Sequence, residues 1–221
     1  MLEAPGSQLL LPELPRLLTF ALASLALNIT PGADMTFVVA ASARGGARGG
    51  IAAALGVGAG SLVHLVAAVV GLSALIASSQ AAFTVLKWAG AAYLVYVAFS
   101  MLRSGGAGPP RAEAAPLPRS DAALFRSGAL VNILNPKVGL FFLAFLPQFV
   151  DPAPALAAVQ TLLLGLWFNA GGTIVNVVVA VVTARAAAGL RGGDGVGRAA
   201  RWFAATIMGA LAAKLVTSDN R

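Results

Sequence analysis

The chain has 221 residues, of which 58% are hydrophobic and only 10% charged, with a mean hydropathy of +0.85. A soluble domain carries about 25% charged residues, so there is too little polar side chain to cover a water-facing surface, and a soluble fold is excluded. The net charge of +7 does not imply nucleic acid, because the basic residues fall between apolar runs without interleaved aromatics; the lack of cysteine excludes disulfides and thiolate metal sites.

Residues 1–13 contain Glu3, Glu13, Pro5 and Pro12, with no basic residue before Arg16. That pattern does not fit a secretory signal, and a short retained lead-in is expected. A membrane span needs about 20 apolar residues. The first runs roughly from Leu17 to Ala43 and is interrupted at Asn28-Ile-Thr30-Pro31-Gly32-Ala-Asp34. Pro31 removes the N–H that the Leu27 carbonyl would meet in a helix. A basic turn from Arg44 to Gly50 leads to the second span, Ile51–Ala77, which carries the sole histidine, His64. The third span, Ala82–Leu102, contains the interfacial pair Lys87-Trp88.

Residues 103–121 form a Gly-, Pro- and Arg-rich linker. The fourth span, Ala122–Val150, is broken at Asn135-Pro136-Lys137, where Pro136 frees the Asn132 carbonyl. The fifth is Ala155–Thr183 and the sixth Trp202–Val216, separated by a basic loop from Arg185 to Arg201. The loops after the first, third and fifth spans and their flanks hold arginines, whereas those after the second and fourth hold no basic residue. The positive-inside rule then puts the three basic loops in the cytoplasm and both termini outside.

The halves resemble one another. Each opens with a span broken at a proline and closes with a span that follows a basic–Trp pair, Lys87-Trp88 or Arg201-Trp202. Three spans is an odd number, so the second half is inverted. The expected fold is a single all-α, polytopic membrane domain over residues 1–221. It has six transmembrane helices in two inverted three-helix repeats, 17–102 and 122–216, with the first and fourth helices broken. Inverted repeats with paired broken helices place a cargo site near the midplane.

Asp34 leads the candidate residues, because an intramembrane acid costs roughly 2.5–3.5 kcal/mol on insertion scales; it reads first as a proton carrier or cation site and second as a structural carboxylate satisfied by neighbouring hydroxyls or a lysine. Lys137 sits centrally in its span. It either neutralises Asp34 or holds the carboxylate of a cargo; its place makes snorkelling difficult. Asn28, Thr30, Asn132 and Asn135 flank Pro31, Gly32 and Pro136, and either satisfy freed backbone or touch cargo. His64 reads first as a hydrogen-bonded packing residue and second as a proton shuttle. Asn169 and Asn176 share one helical face and either line the cavity or lock helices. Gly56, Gly58, Gly60, Gly165, Gly171 and Gly172 read as close-packing positions, and Phe141, Phe142 and Phe145 as packing residues. No catalytic motif is present, so no enzyme, cofactor or metal site is expected. Alternatives of other classes are a non-transporting membrane subunit that recruits a partner through its basic loops, and an exporter of another small solute or cation.

Thr30-Pro-Gly-Ala-Asp34-Met, Gly90-Ala-Ala-Tyr-Leu-Val-Tyr96 and above all Asn135-Pro-Lys-Val-Gly-Leu-Phe-Phe-Leu-Ala-Phe-Leu-Pro-Gln-Phe149 resemble segments of the lysine exporter (LysE) / homoserine–threonine exporter (RhtB) family of bacterial efflux proteins. His64 stands where members of that family often carry histidine. Ala33 departs from the family's Pro-Gly-Pro-Asp pattern by replacing its second proline. The resemblance implies an inner-membrane exporter of amino acids or related metabolites, driven by proton antiport and assembled as a homo-oligomer.

Overall fold

The computed structural model describes residues 11–78, 85, 88, 118, 120–151 and 154–192. The expected sixth span, the third apart from residues 85 and 88, most of the 103–121 linker and the arginines at 103, 111, 119, 198 and 201 lie outside the described residues.

The described chain is helical throughout. Helix α1 (Leu14–Ile29) opens with Pro15 in its first turn, where the missing N–H costs nothing. It stops because Thr30 precedes Pro31 and is driven extended, φ −71 and ψ 123. Its residues Leu14, Leu18, Leu22, Leu25 and Ile29 are exposed at helical spacing. Such a stripe is a liability in water but is at home against acyl chains.

Helix α2 (Ala33–Ser78) is two arms joined at Gly46, whose φ of 68 and ψ of −167 leave the helical region. Only glycine takes such a conformation cheaply. The arms fold back on each other: a Cβ built on Gly50 would lie 2.0 Å from Ser42 Oγ, whereas residues eight apart in a straight helix are about 12 Å apart. Val38 and Ala41 of the first arm share a core with Ala53, Ala54 and Val57 of the second. The sequence places a loop from Arg44 to Gly50; the chain turns on one residue instead, and helix continues on both sides of Gly46 through the residues expected to form that loop.

Helix α3 (Asp121–Ile133) is capped by Ser120, whose side chain accepts from the Ala123 N–H. Asp121 in its first turn forms an exposed ion pair with Arg48, worth about 0–1 kcal/mol. After the break comes α4 (Pro136–Leu140), then a π turn (Phe141–Phe145) and a 3-10 turn (Leu146–Phe149). The path bends by 51° between α3 and the segment after the break. The sequence foresees the break at Pro136 but not the irregular turns. Pro147 gives the physical reason, since it leaves the Leu143 carbonyl without a helical partner.

Helix α5 (Pro154–Gly192) runs nine positions beyond the expected end of the fifth span, because Ala184-Arg-Ala-Ala-Ala188 favours helix. Segments of α2 and α5 are long and apolar enough to cross a membrane, and α3 with the bent segment after it makes a third candidate. The protein is thus an all-α, multi-spanning membrane protein.

Two cores hold these elements. Phe20, Phe141, Phe142, Phe149 and Phe168 are buried together, with Phe141 and Phe168 stacked at 3.9 Å between centroids and Phe20 edge-on to Phe149 at 5.3 Å. The π turn thus presents Phe141 and Phe142 to α1 and α5, and the phenylalanines of the fourth span pack as expected. The second core joins the arms of α2 to Leu124 and Ala180. The α2–α3 contact is backbone on backbone. A Cβ on Gly56 would stand 2.0 Å from the Phe125 carbonyl, one on Gly60 2.5 Å from that of Ala129, and one on Gly128 2.4 Å from that of Ala53. This is the close approach that small residues permit in lipid.

Candidate functional site

The two breaks meet. The Lys137 ammonium donates to the Leu27 carbonyl at 3.1 Å and to the Thr30 carbonyl at 3.0 Å. Leu27 is the carbonyl that Pro31 deprives of its helical partner; the Thr30 N–H reaches it only at 3.3 Å. A cation at that place also faces the negative end of the α1 dipole. Lys137 is aimed there because Asn135, extended before Pro136, caps α4 through its Oδ1, which accepts from the Lys137 N–H at 3.0 Å.

The second break mirrors this arrangement. The carbonyl freed by Pro136 is that of Asn132, and it accepts from His64 Nε2 at 3.1 Å. A carbonyl only accepts, so Nε2 carries the proton. The imidazole stacks on Phe142 at 6.3 Å and passes close over Gly139. The His64 side chain is thus bonded to the break directly.

Asp34 lies in the first turn of α2, where the helix dipole favours a carboxylate. Its Oδ2 accepts from Asn132 Nδ2 at 2.9 Å. The side chains of Thr30 and Thr36 bond back to the Ala26 and Gly32 carbonyls at 2.6 and 2.8 Å. Asn28 crosses to α5 and donates to the Phe168 carbonyl at 3.2 Å, seated where a Cβ on Gly172 would come within 2.8 Å of its Oδ1.

Asp34 and Lys137 do not meet as an ion pair; the Arg48–Asp121 pair is the salt bridge found among the described residues. The neutralising role considered for Lys137 is not realised by direct contact. Both side chains line one cavity, together with Asn28, Thr30, Gly32 and Asn132. About 30 Å³ of it is open to the centre of a water-sized sphere, room for one or two waters. Pro31, Pro136, Asn135 and His64 are not among the residues that line it.

The far wall comes from α5 and α2. Asn169, Gly172, Thr173 and Asn176 face the cavity and recur at i, i+3, i+4 and i+7, the spacing of one helical face. That period was available to identify Thr173, which sequence reasoning missed. Ser61, also missed, lines the same cavity one turn before His64. Among the described residues no group of three or more His, Cys, Asp or Glu is placed to hold a metal ion.

Broken helices opposed across a polar cavity deep in an apolar bundle, with a buried acid and a lysine in its wall, define a membrane transporter of small solutes. The chain belongs to the LysE type translocator family, whose model matches residues 25–219. It is therefore a transporter and not an enzyme. It is 35% identical over 174 residues to the homoserine/homoserine lactone efflux protein of Salmonella typhimurium, which covers 78% of this chain and 82% of that relative. It is 36% identical to the protein of the same description from Salmonella typhi, with the same coverage. An uncharacterized membrane protein of Bacillus subtilis is 36% identical over 154 residues, 63% of this chain and 73% of that one. No solved structure matches the chain.

Proposed function

We propose that this protein exports a small amino acid or amino-acid derivative across the inner membrane by proton antiport. The observation that carries this reading is the meeting of the two breaks around a cavity in which Asp34 and Lys137 are each held by neutral partners rather than by each other. An acid and a base kept apart in this way remain available to a dipolar cargo. Asp34 takes the proton from outside, Lys137 and the Asn/Thr cluster hold the cargo, and the two halves rock about the site. The crossed bonds, Lys137 on the first break and His64 on the second, support paired halves in inverted three-span repeats, and the arginine bias of the loops supports basic loops in the cytoplasm with the termini outside.

The names of the Salmonella relatives make homoserine the first cargo to try. In cells overexpressing the chain, homoserine loaded inside should leave faster than in controls. A protonophore or Asp34→Asn should abolish the difference. Efflux that persists undiminished after the proton gradient collapses would overturn the antiport reading.

A further inference from the structure

Four buried oxygens in the cavity wall have no hydrogen-bond partner among the described residues: Asp34 Oδ1, Ser61 Oγ, Asn132 Oδ1 and Asn176 Oδ1; outside the cavity lining, Asn135 Nδ2, near the Asp34 carboxylate, is a buried donor in the same state. Their residues are 9%, 4%, 2% and 8% exposed, and all four line the same cavity. A buried acceptor left unmade costs about 1–3 kcal/mol, so four around one space is an unusual concentration. Asn132 is not free to turn its amide and cure the defect, because its Nδ2 is committed to Asp34 Oδ2. Lys137 does not serve them either, since its ammonium is held by the Leu27 and Thr30 carbonyls.

We propose that these four oxygens form an ammonium subsite, taken in turn by the cargo's primary ammonium and, as a proton on Asp34, by the coupling ion. The proposal rests on the exporter reading and deepens it. An ammonium offers three donors and no acceptor, which is the complement of a wall of oxygens carrying one negative charge. The Asp34 carboxylate pairs with an ammonium only when deprotonated; once it takes a proton, the charge that attracted the ammonium is gone. Proton and cargo therefore exclude one another at one group, and one proton enters for each ammonium that leaves. Lys137 supplies the opposite pole, which a zwitterion's carboxylate meets and a lactone's neutral ring does not.

The test uses the full chain in detergent micelles and in proteoliposomes. A hydrophobic carbodiimide modifies protonated buried carboxyls, and modification of Asp34 is followed by mass spectrometry. Homoserine and homoserine lactone should both protect Asp34, while 2,4-dihydroxybutyrate, which carries a hydroxyl in place of the ammonium, and sodium chloride should not. Ser61→Ala and Asn176→Leu should each raise the half-protecting concentration of the lactone about tenfold, as expected for one lost bond to a charged group. Equal protection by the deaminated analogue, protection by sodium alone, or unchanged lactone protection in both variants would overturn the subsite. Protection without efflux of homoserine from proteoliposomes would sustain the subsite and sink the exporter reading; efflux without ammonium-dependent protection would do the reverse.

Discussion

Lys137 ties the second break to the first, because its ammonium is the side-chain donor on the carbonyls of Leu27 and Thr30; the Asn132–Asp34 bond is a second link. Lys137→Met should remove both charge-assisted bonds, lower stability by about 2 kcal/mol or more, and stop efflux. Lys137→Arg should not rescue it: Nζ lies 3.3 Å from where a Cβ on Gly32 would stand, and a planar guanidinium needs more room than an ammonium. Melting in detergent and efflux of homoserine check both. His64 offers a contrast. His64→Ala removes one of the two donors on the Asn132 carbonyl, the other being the Asn135 N–H at 2.9 Å, and should cost about 1 kcal/mol, whereas His64→Gln, which keeps an N–H at similar reach, should recover most of that loss. If glutamine melts no higher than alanine, the hydrogen bond is not what His64 contributes.

The helices are set by interruptions more than by propensity. Pro31→Ala restores the missing N–H to Leu27 and should let α1 continue into α2, giving a protein that inserts but does not transport; membrane yield and efflux measured together check this. Gly56→Val should fail earlier, at assembly, because its side chain would enter the Phe125 carbonyl, and recovery of folded protein from the membrane should fall sharply. Both breaks were legible in the sequence because proline has one physical meaning inside an apolar run. The π turn at Phe141–Phe145 was not, since an apolar run looks the same whether its ladder is i+4 or i+5. The single-residue turn at Gly46 was hidden among five neighbouring glycines and arginines that spell a loop equally well. Asp34, Lys137 and the flanking asparagines were legible as polar residues in the wrong solvent. Ser61 was not, because a hydroxyl in an apolar helix is ordinarily absorbed by its own backbone; Thr173 could be reached only through its period with Asn169 and Asn176.

Taken together, the family membership, the cavity and the separated charges make the transport cycle an exercise in charge accounting. Exchange of one proton for one zwitterionic homoserine moves a net positive charge inward, whereas exchange for the cationic lactone moves none. Efflux of homoserine should therefore accelerate when the interior of proteoliposomes is made negative, and efflux of the lactone should not respond. Equal response of the two would contradict one-for-one exchange at Asp34.

Gly46 limits how such a cycle can move. With one glycine as the whole connection and Ser42 pressed against Gly50, the two legs of this hairpin have no slack with which to slide or part. On the proposed cycle they would travel as a single lever, leaving the bending to the joints at Pro31 and Asn135, which flank the cavity proposed to take the passenger.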